Sequence, residues 1–423
     1  MRHLLVPLAA LLLSQALLLV GHGLQLTLLP VRAQIEGFTD AQIGLTGSAY
    51  FLGFVVGCLG APHIIRRVGH IRSFAVLGSS FSAVVLLFHA IPVFYPWLFL
   101  RLLVGICISG LYMIIESWLN DRATRETRGT LLSIYTIINL TMIMVGQQML
   151  NLAEPESDTL FAIAAVLLSV AIIPVSLTLS LAPAPLTTVR LDLRRIWSLS
   201  RVGMAGSFAA GLVTGAFWSL GPIYARGLEL ATAQLTLFMS AAVLGGAIFQ
   251  LPLGRLSDHY DRRLVILILS LAGAGVSASL MLIPGTGWWL LFLSFLWGGT
   301  AMTLYAICLA HTTDHAQPDD FVMVGSGILL IFGLGSAVGG PAASLLMNVS
   351  GPSGLFAFSA LAMLVFAGGI ARRRRTHVVP LHDETEPFRL MVDSATPVAF
   401  EMDPRTEEGH LAEADYGQDN NRD

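Results

Sequence analysis

Apolar runs about twenty residues long alternate along the chain with short clusters of Gly, Pro, Arg and acidic residues. A helix rising ~1.5 Å per residue needs roughly twenty such residues to cross a bilayer core. Twelve runs can be drawn, over about 4–29, 42–65, 73–94, 97–118, 129–150, 159–181, 203–225, 234–254, 264–284, 287–311, 322–347 and 352–371. The pattern predicts an all-α integral membrane protein of twelve transmembrane helices. Arg2 precedes the first run as it would a signal peptide, but the run is too long for an h-region and no small-residue cleavage site follows. It is read as a retained first helix.

Charge sharpens the picture. Only 12% of the 423 residues are charged, about half the share of a soluble domain. Residues 1–375 hold 21 basic and 15 acidic residues, and 376–423 hold 3 and 12. A cationic, apolar body thus carries an acidic tail, expected to be disordered and outside the membrane fold. With the N-terminus inside, 18 arginines fall in inside segments and two, Arg32 and Arg226, in outside loops. The positive-inside rule therefore puts both termini in the cytoplasm. There is no lysine, which excludes P-loop and Schiff-base chemistry, and Cys58, Cys107 and Cys308 each lie in an apolar run, which does not suggest a disulfide framework.

The chain also repeats itself. Residues 41–53 align with 233–245 at an offset of 192, with seven of thirteen positions identical. The same offset pairs Pro30 with Pro222, and an offset of 193 pairs Gly105 with Gly298, Tyr112 with Tyr305 and Gly146 with Gly339. The expected organisation is a six-helix half over 1–181, a linker over 182–202, a second half over 203–375 and the tail over 376–423. Two parallel repeats with a site between them near the midplane form a transporter architecture.

The segment Gly254-Arg-Leu-Ser-Asp-His-Tyr-Asp-Arg-Arg263 resembles the loop signature of the major facilitator superfamily, departing at His259 and Asp261. The first-half counterpart Arg66-Arg-Val-Gly69 keeps only the basic-x-Gly core, and Arg101-Leu-Leu-Val-Gly105 matches the Arg-x-x-x-Gly pattern of the fourth helix. Thr27-Leu-Leu-Pro30, Gly69-His70 and Glu116-Ser-Trp-Leu-Asn120 followed by Arg128-Gly129 look like the YcaD-like branch. The resemblance implies two pseudo-symmetric six-helix bundles with the first helix of each half lining a cavity. Physically, Gly254, Asp258, Arg262 and Arg263, and more weakly Arg67 and Gly69, suit a conformational latch whose ion pairs form in one rocking state. A turn that merely obeys the positive-inside rule is the plainer alternative.

Polar groups inside spans are costly and therefore informative. In the fourth run Arg101, Gly105, Ser109, Tyr112 and Glu116 share an arc of about 80° at 100° per residue. In the first run Ser14, Gln15, His22 and Gln25 share about 100°. His22, Arg101 and Glu116 are candidates for substrate or proton binding; the plainer readings are an interhelical His, a snorkelling Arg and a structural ion pair. Trp218 and Tyr305 are candidate cavity walls, or else packing. Asn139 and Gln147 would reach the cavity or bond across helices. The cluster Gly333, Gly335, Gly339, Gly340 and Pro341 is expected to serve helix packing, and His311 and Asp314 are read as boundary residues.

No histidine has metal-ligand partners at the usual spacing, so no metal or other cofactor is expected. The run 372–375 is expected to touch anionic lipid headgroups rather than nucleic acid. These features point to a monomeric secondary active transporter of a small organic solute in the bacterial inner membrane, not an enzyme, working by alternating access. Protons are the expected coupling ion, and export is preferred over uptake. Uptake of an organic anion held by Arg101 is the runner-up, and a transport-inactive sensor or scaffold signalling through the tail is the alternative from another class.

Overall fold

The computed structural model describes residues 2–124, 127–177, 191–282, 287–317, 320–376 and 395–402. The start of the linker, much of the tail and the side chains of 373–375 lie outside the described residues. Those described are helical, without strands. The first half comprises α1 (Arg2–Ile35), α2 (Asp40–Val68), α3 (His70–Ala90), α4 (Phe94–Arg122) and α5 (Arg128–Gln148). Its sixth span joins α6 (Thr159–Val170) to α7 (Ile172–Ser176). A short linker helix α8 (Leu193–Leu199) leads to α9 (Arg201–Gly227), α10 (Thr232–His259), α11 (Arg262–Leu282), α12 (Trp288–Thr313), α13 (Phe321–Ser350) and α14 (Gly354–Thr376). Twelve spans among the described residues are long and apolar enough to cross a membrane, as the periodicity predicts. With an even number of crossings, the helical body starts and ends on one face, here called the terminal face. The other is the distal face.

Packing inside each half follows the sequence repeat. The first half pairs α1 with α5, α2 with α4 and α3 with α6; the second pairs α9 with α13, α10 with α12 and α11 with α14. The repeated glycines are where these backbones touch. A Cβ on Gly53 or Gly105 would lie 2.1 Å from the carbonyl oxygen of Leu102 or Tyr50. At the equivalent Gly245 and Gly298 it would lie 1.8 Å from those of Phe295 and Ala242. Gly146 meets Val20 at 2.2 Å and Gly339 meets Leu212 at 2.1 Å in the same way. With lipid as apolar as the side chains, close backbone approach of this kind is a main source of helix association. The glycines of α13 fit the packing reading made from the sequence.

The halves meet through α2 against α13 and α5 against α10, which are equivalent under the repeat, and through α1 and α2 against α9. These contacts crowd toward the distal face. Gly44 backs onto Gly340, where a Cβ would lie 2.8 Å from the backbone carbonyl, and the Ser48 hydroxyl donates to the Ala337 carbonyl. Gln148 donates to the Thr236 carbonyl at 3.1 Å and to Ser240 Oγ at 2.8 Å, while Ser240 donates to Gln147 Oε1 at 3.0 Å. Arg226 reaches the Val31 carbonyl at 3.2 Å. The distal side is therefore sealed by direct hydrogen bonds between halves.

One expectation needs correction. The acidic tail was expected to stay outside the fold, yet residues 395–402 pack against α4, α5 and α13. Ala395, Thr396, Val398 and Ala399 are buried. This stretch carries apolar and small residues within an otherwise charged tail, which is why it can enter the body.

Because the interlocked glycines admit no side chain, Gly105→Leu or Gly298→Leu should lower stability by about 1–3 kcal/mol or more, as overpacking does. Gly60→Ala, with nothing within 4 Å of its Cβ, should leave stability unchanged. Thermal unfolding in detergent checks both, and equal effects would contradict the packing account.

Candidate functional site

A cavity of about 70 Å³ lies between the halves, walled by His22 and Leu26 of α1, Tyr50 and Phe54 of α2, Arg101 and Tyr112 of α4, and Trp218 and Ser219 of α9, with Phe332 and Gly333 closing it from α13. Its polar groups are connected. His22 Nε2 lies 3.1 Å from the Tyr50 hydroxyl, and the rings stack with centroids 5.8 Å apart. The Arg101 guanidinium carbon sits 5.1 Å from the centroid of the same Tyr50 ring, a cation–π arrangement. Gln25, one turn beyond His22, is buried, and its amide has no hydrogen-bond partner.

Arg101 is 3% exposed, and its Nε and Nη1 have no hydrogen-bond acceptor. A guanidinium carries five donors and keeps its charge, so such burial without acceptors is expensive. Tyr50 offsets part of that cost by lying under the cation.

The site belongs to one half. The positions equivalent to His22, Tyr50 and Arg101 at the repeat offsets are Thr214, Ala242 and Ser294. Thr214 and Ser294 donate their hydroxyls to the Ala210 and Phe238 carbonyls, at 2.7 Å each. The second half thus supplies walls, Trp218 and Phe332, where the first supplies charge.

Of the polar and aromatic residues singled out from sequence, His22, Arg101, Tyr112 and Trp218 line this cavity. Tyr305 stands behind it, its ring 4.7 Å from that of Phe332. Ser109 shares the helical arc but meets α2: its hydroxyl occupies the space a Cβ on Gly57 would need, and it bonds the Ile106 carbonyl at 3.1 Å. Gln15 reaches the Tyr135 carbonyl of α5 at 3.5 Å, and Asn139 donates to that same carbonyl at 3.2 Å, so both serve the α1–α5 region. Gln147 bonds across the halves. Tyr50 was missed as a site residue, although it sits inside the repeated segment and is the tyrosine of the second run.

Glu116 lies toward the terminal face, fifteen residues from Arg101 and so about 22 Å along the axis at ~1.5 Å per residue. It is fully buried and accepts a 2.6 Å hydrogen bond from the Tyr135 hydroxyl. The Thr396 backbone N–H donates to its two oxygens at 3.2 and 3.0 Å, and the Thr396 hydroxyl donates to Oε2. Neutral donors stand here in place of the structural ion pair that was the plainer reading of Glu116.

At the latch segment, Arg262 bonds Asp258 at 2.9 Å and Asp314 at 2.7 Å, and is itself only 3% exposed. Asp314 is therefore more than a boundary residue: it ties the end of α12 to the α10–α11 turn. Gly254 is buried in α10, and the Arg263 backbone N–H donates to Asp261 at 2.9 Å. The repeat places His70 opposite Arg262, and His70 bonds Ser117 at 3.1 Å with Asp121 nearby. Arg67 is exposed, and Gly69 takes φ +92°, the left-handed turn that glycine permits between α2 and α3. All these contacts lie within a half. Arg262→Met strands two carboxylates and should cost about 3–5 kcal/mol; Asp314→Asn, which keeps an acceptor, should cost less. Thermal unfolding decides, and the reverse order would contradict the pairing.

Comparison with known proteins places this geometry. The profile of the Major Facilitator Superfamily matches the chain twice, over residues 11–202 and 203–400. The MFS-type transporter YcaD of Escherichia fergusonii is 25% identical over 375 residues, covering 87% of this chain and 96% of its own. Among solved structures, the nucleoside transporter NupG aligns with a TM-score of 0.72 at 16% identity, over 86% of this chain and 98% of its own. A bacterial homologue of the human lysosomal transporter Spinster, in an inward-facing and occupied conformation, aligns with a TM-score of 0.68 at 14% identity, over 88% and 96%. These relatives are transporters rather than enzymes, and with twelve apolar spans they indicate a multi-pass protein of the bacterial inner membrane. The chain belongs to the major facilitator superfamily of membrane transporters and resembles its YcaD-like branch.

Proposed function

We propose that this transporter carries a small organic anion with an apolar or aromatic body, coupled to protons, by rocking its two halves about the central cavity. The observation that carries this reading is Arg101: a buried cation whose Nε and Nη1 lack acceptors at the wall of an aromatic cavity. A carboxylate or sulfonate fits such a fork, because charge-assisted and bidentate hydrogen bonds are the strong ones. Tyr112, Trp218 and Phe332 then offer ring faces to the rest of the solute. A neutral solute would leave the guanidinium as it is, and a cation would be repelled.

His22 supplies the coupling. It touches Tyr50, which also lies under Arg101, so a proton on its ring would put a second positive charge beside the first. An anion bound between them accommodates both charges, and anion and proton then occupy the site together. The electrical logic agrees: each uncompensated charge moved across the membrane is worth about 2.3 kcal/mol per 100 mV. A proton carried with a monoanion cancels that term. Glu116, at the other end of α4, is a buried carboxylate that offers a second protonation site toward the terminal face.

The sealed distal contacts support a carrier cycle in which this is one of two end states. The direction of net flux then follows from the gradients imposed, and orientation with both termini in the cytoplasm remains the expectation from arginine placement.

Proteoliposomes loaded with a pH-sensitive dye test this reading. Aromatic carboxylates and sulfonates should drive proton movement, and their amides should not. Arg101→Gln should reduce anion-driven flux at least tenfold, while His22→Ala should leave anion flux but remove its dependence on the pH gradient. Wild-type flux of these anions through Arg101→Gln would sink the proposal.

A further inference from the structure

Residues 395–402 form a short turn of 3₁₀ helix over Pro397–Met402 at its end, and this turn touches α4 and α5 of one half and α13 of the other. The contact is specific. Thr396 is fully buried and gives both its backbone N–H and its hydroxyl to the Glu116 carboxylate, which the Tyr135 hydroxyl braces from α5. A buried carboxylate otherwise lacks partners in a membrane interior, so a peptide that brings two neutral donors to it is strongly held.

The route is long enough. The 18 residues 377–394 between the end of α14 and Ala395 can span up to about 60 Å when extended, at ~3.3 Å each. The neighbours of Ala395 and Val398 are apolar core residues, so small and apolar tail residues suit the seat.

We infer that the vestibule between the halves on the terminal face is a peptide-binding site whose ligand is this chain's own segment 395–402, docked through Thr396 on Glu116. Seated there, the segment blocks the terminal mouth of the cavity and props α4 and α13 apart. The distal-sealed state is thereby held until the segment leaves, and a transport cycle requires its release. The segment is thus an autoinhibitory plug. This claim is independent of the nature of the solute, since it concerns access and conformation.

Two measurements test it in the full-length chain in lipid nanodiscs. First, Thr396→Cys is reacted with a charged maleimide, with the parent chain giving the background from native cysteines. Reaction should be at least tenfold slower than in the SDS-unfolded chain, and adding Glu116→Ala should speed it at least tenfold. A native rate equal to the unfolded rate, or indifference to Glu116→Ala, would overturn the docking. Second, spin labels at Arg66→Cys and Tyr260→Cys, both exposed at the terminal ends of α2 and α10, report the opening there in a Cys58→Ala background. Thr396→Pro removes the hydroxyl and the N–H without touching the helical body. It should add a population of shorter distances as the terminal face closes, and an unchanged distribution would overturn the propping role.

Discussion

Hydrocarbon offers no partner to a charge, and that constraint decides where every ionic group in this chain stands. Most arginines escape it by lying on one face. Among the described residues, three side chains of Arg, Asp or Glu type are buried: Arg101, Glu116 and Arg262. Each meets the constraint differently. Arg262 is held by two carboxylates of its own half. Glu116 is held by a tyrosine and by the tail. Arg101 has an aromatic ring beneath it and donors to spare. An ion pair, a set of neutral donors and an aromatic ring are three solutions to one problem, and the function proposed follows from the third.

The duplicated halves explain why the charges can differ so much without disturbing the fold. What the repeat preserves is steric: Gly53 with Gly245, Gly105 with Gly298 and Gly146 with Gly339 keep helix backbones in contact. What it does not preserve is polar: His22, Tyr50 and Arg101 face Thr214, Ala242 and Ser294 across the pseudo-symmetry. In the cycle proposed, the rigid, interlocked halves move as bodies and the one-sided cluster of charge senses the solute.

Much of the fold was legible in the sequence because its signals are strong: twenty-residue apolar runs, arginines at their ends and glycines repeated at offsets of 192 and 193. The candidate site was legible only in part. A helical arc names a face but not the neighbour that face meets, so Ser109 was grouped with Arg101 although it packs on Gly57. Tyr50 carried its signal in a segment read only for its repeat. Asp314 looked like a helix end because its partner Arg262 is fifty-two residues away. The tail misled through its average composition: residues 395–402, in which Glu401 is the one charge, behave unlike the acidic stretch around them.

The central claim is that Arg101 makes the cavity an anion site, and binding tests it most directly. Isothermal titration of an aromatic carboxylate and its methyl ester into the protein in nanodiscs, beside Arg101→Gln, separates charge from shape. The account predicts that the acid binds at least tenfold tighter than the ester, a difference of about 1.4 kcal/mol or more, and that Arg101→Gln erases the difference. An ester that binds as tightly as the acid, or a preference that survives Arg101→Gln, would contradict it.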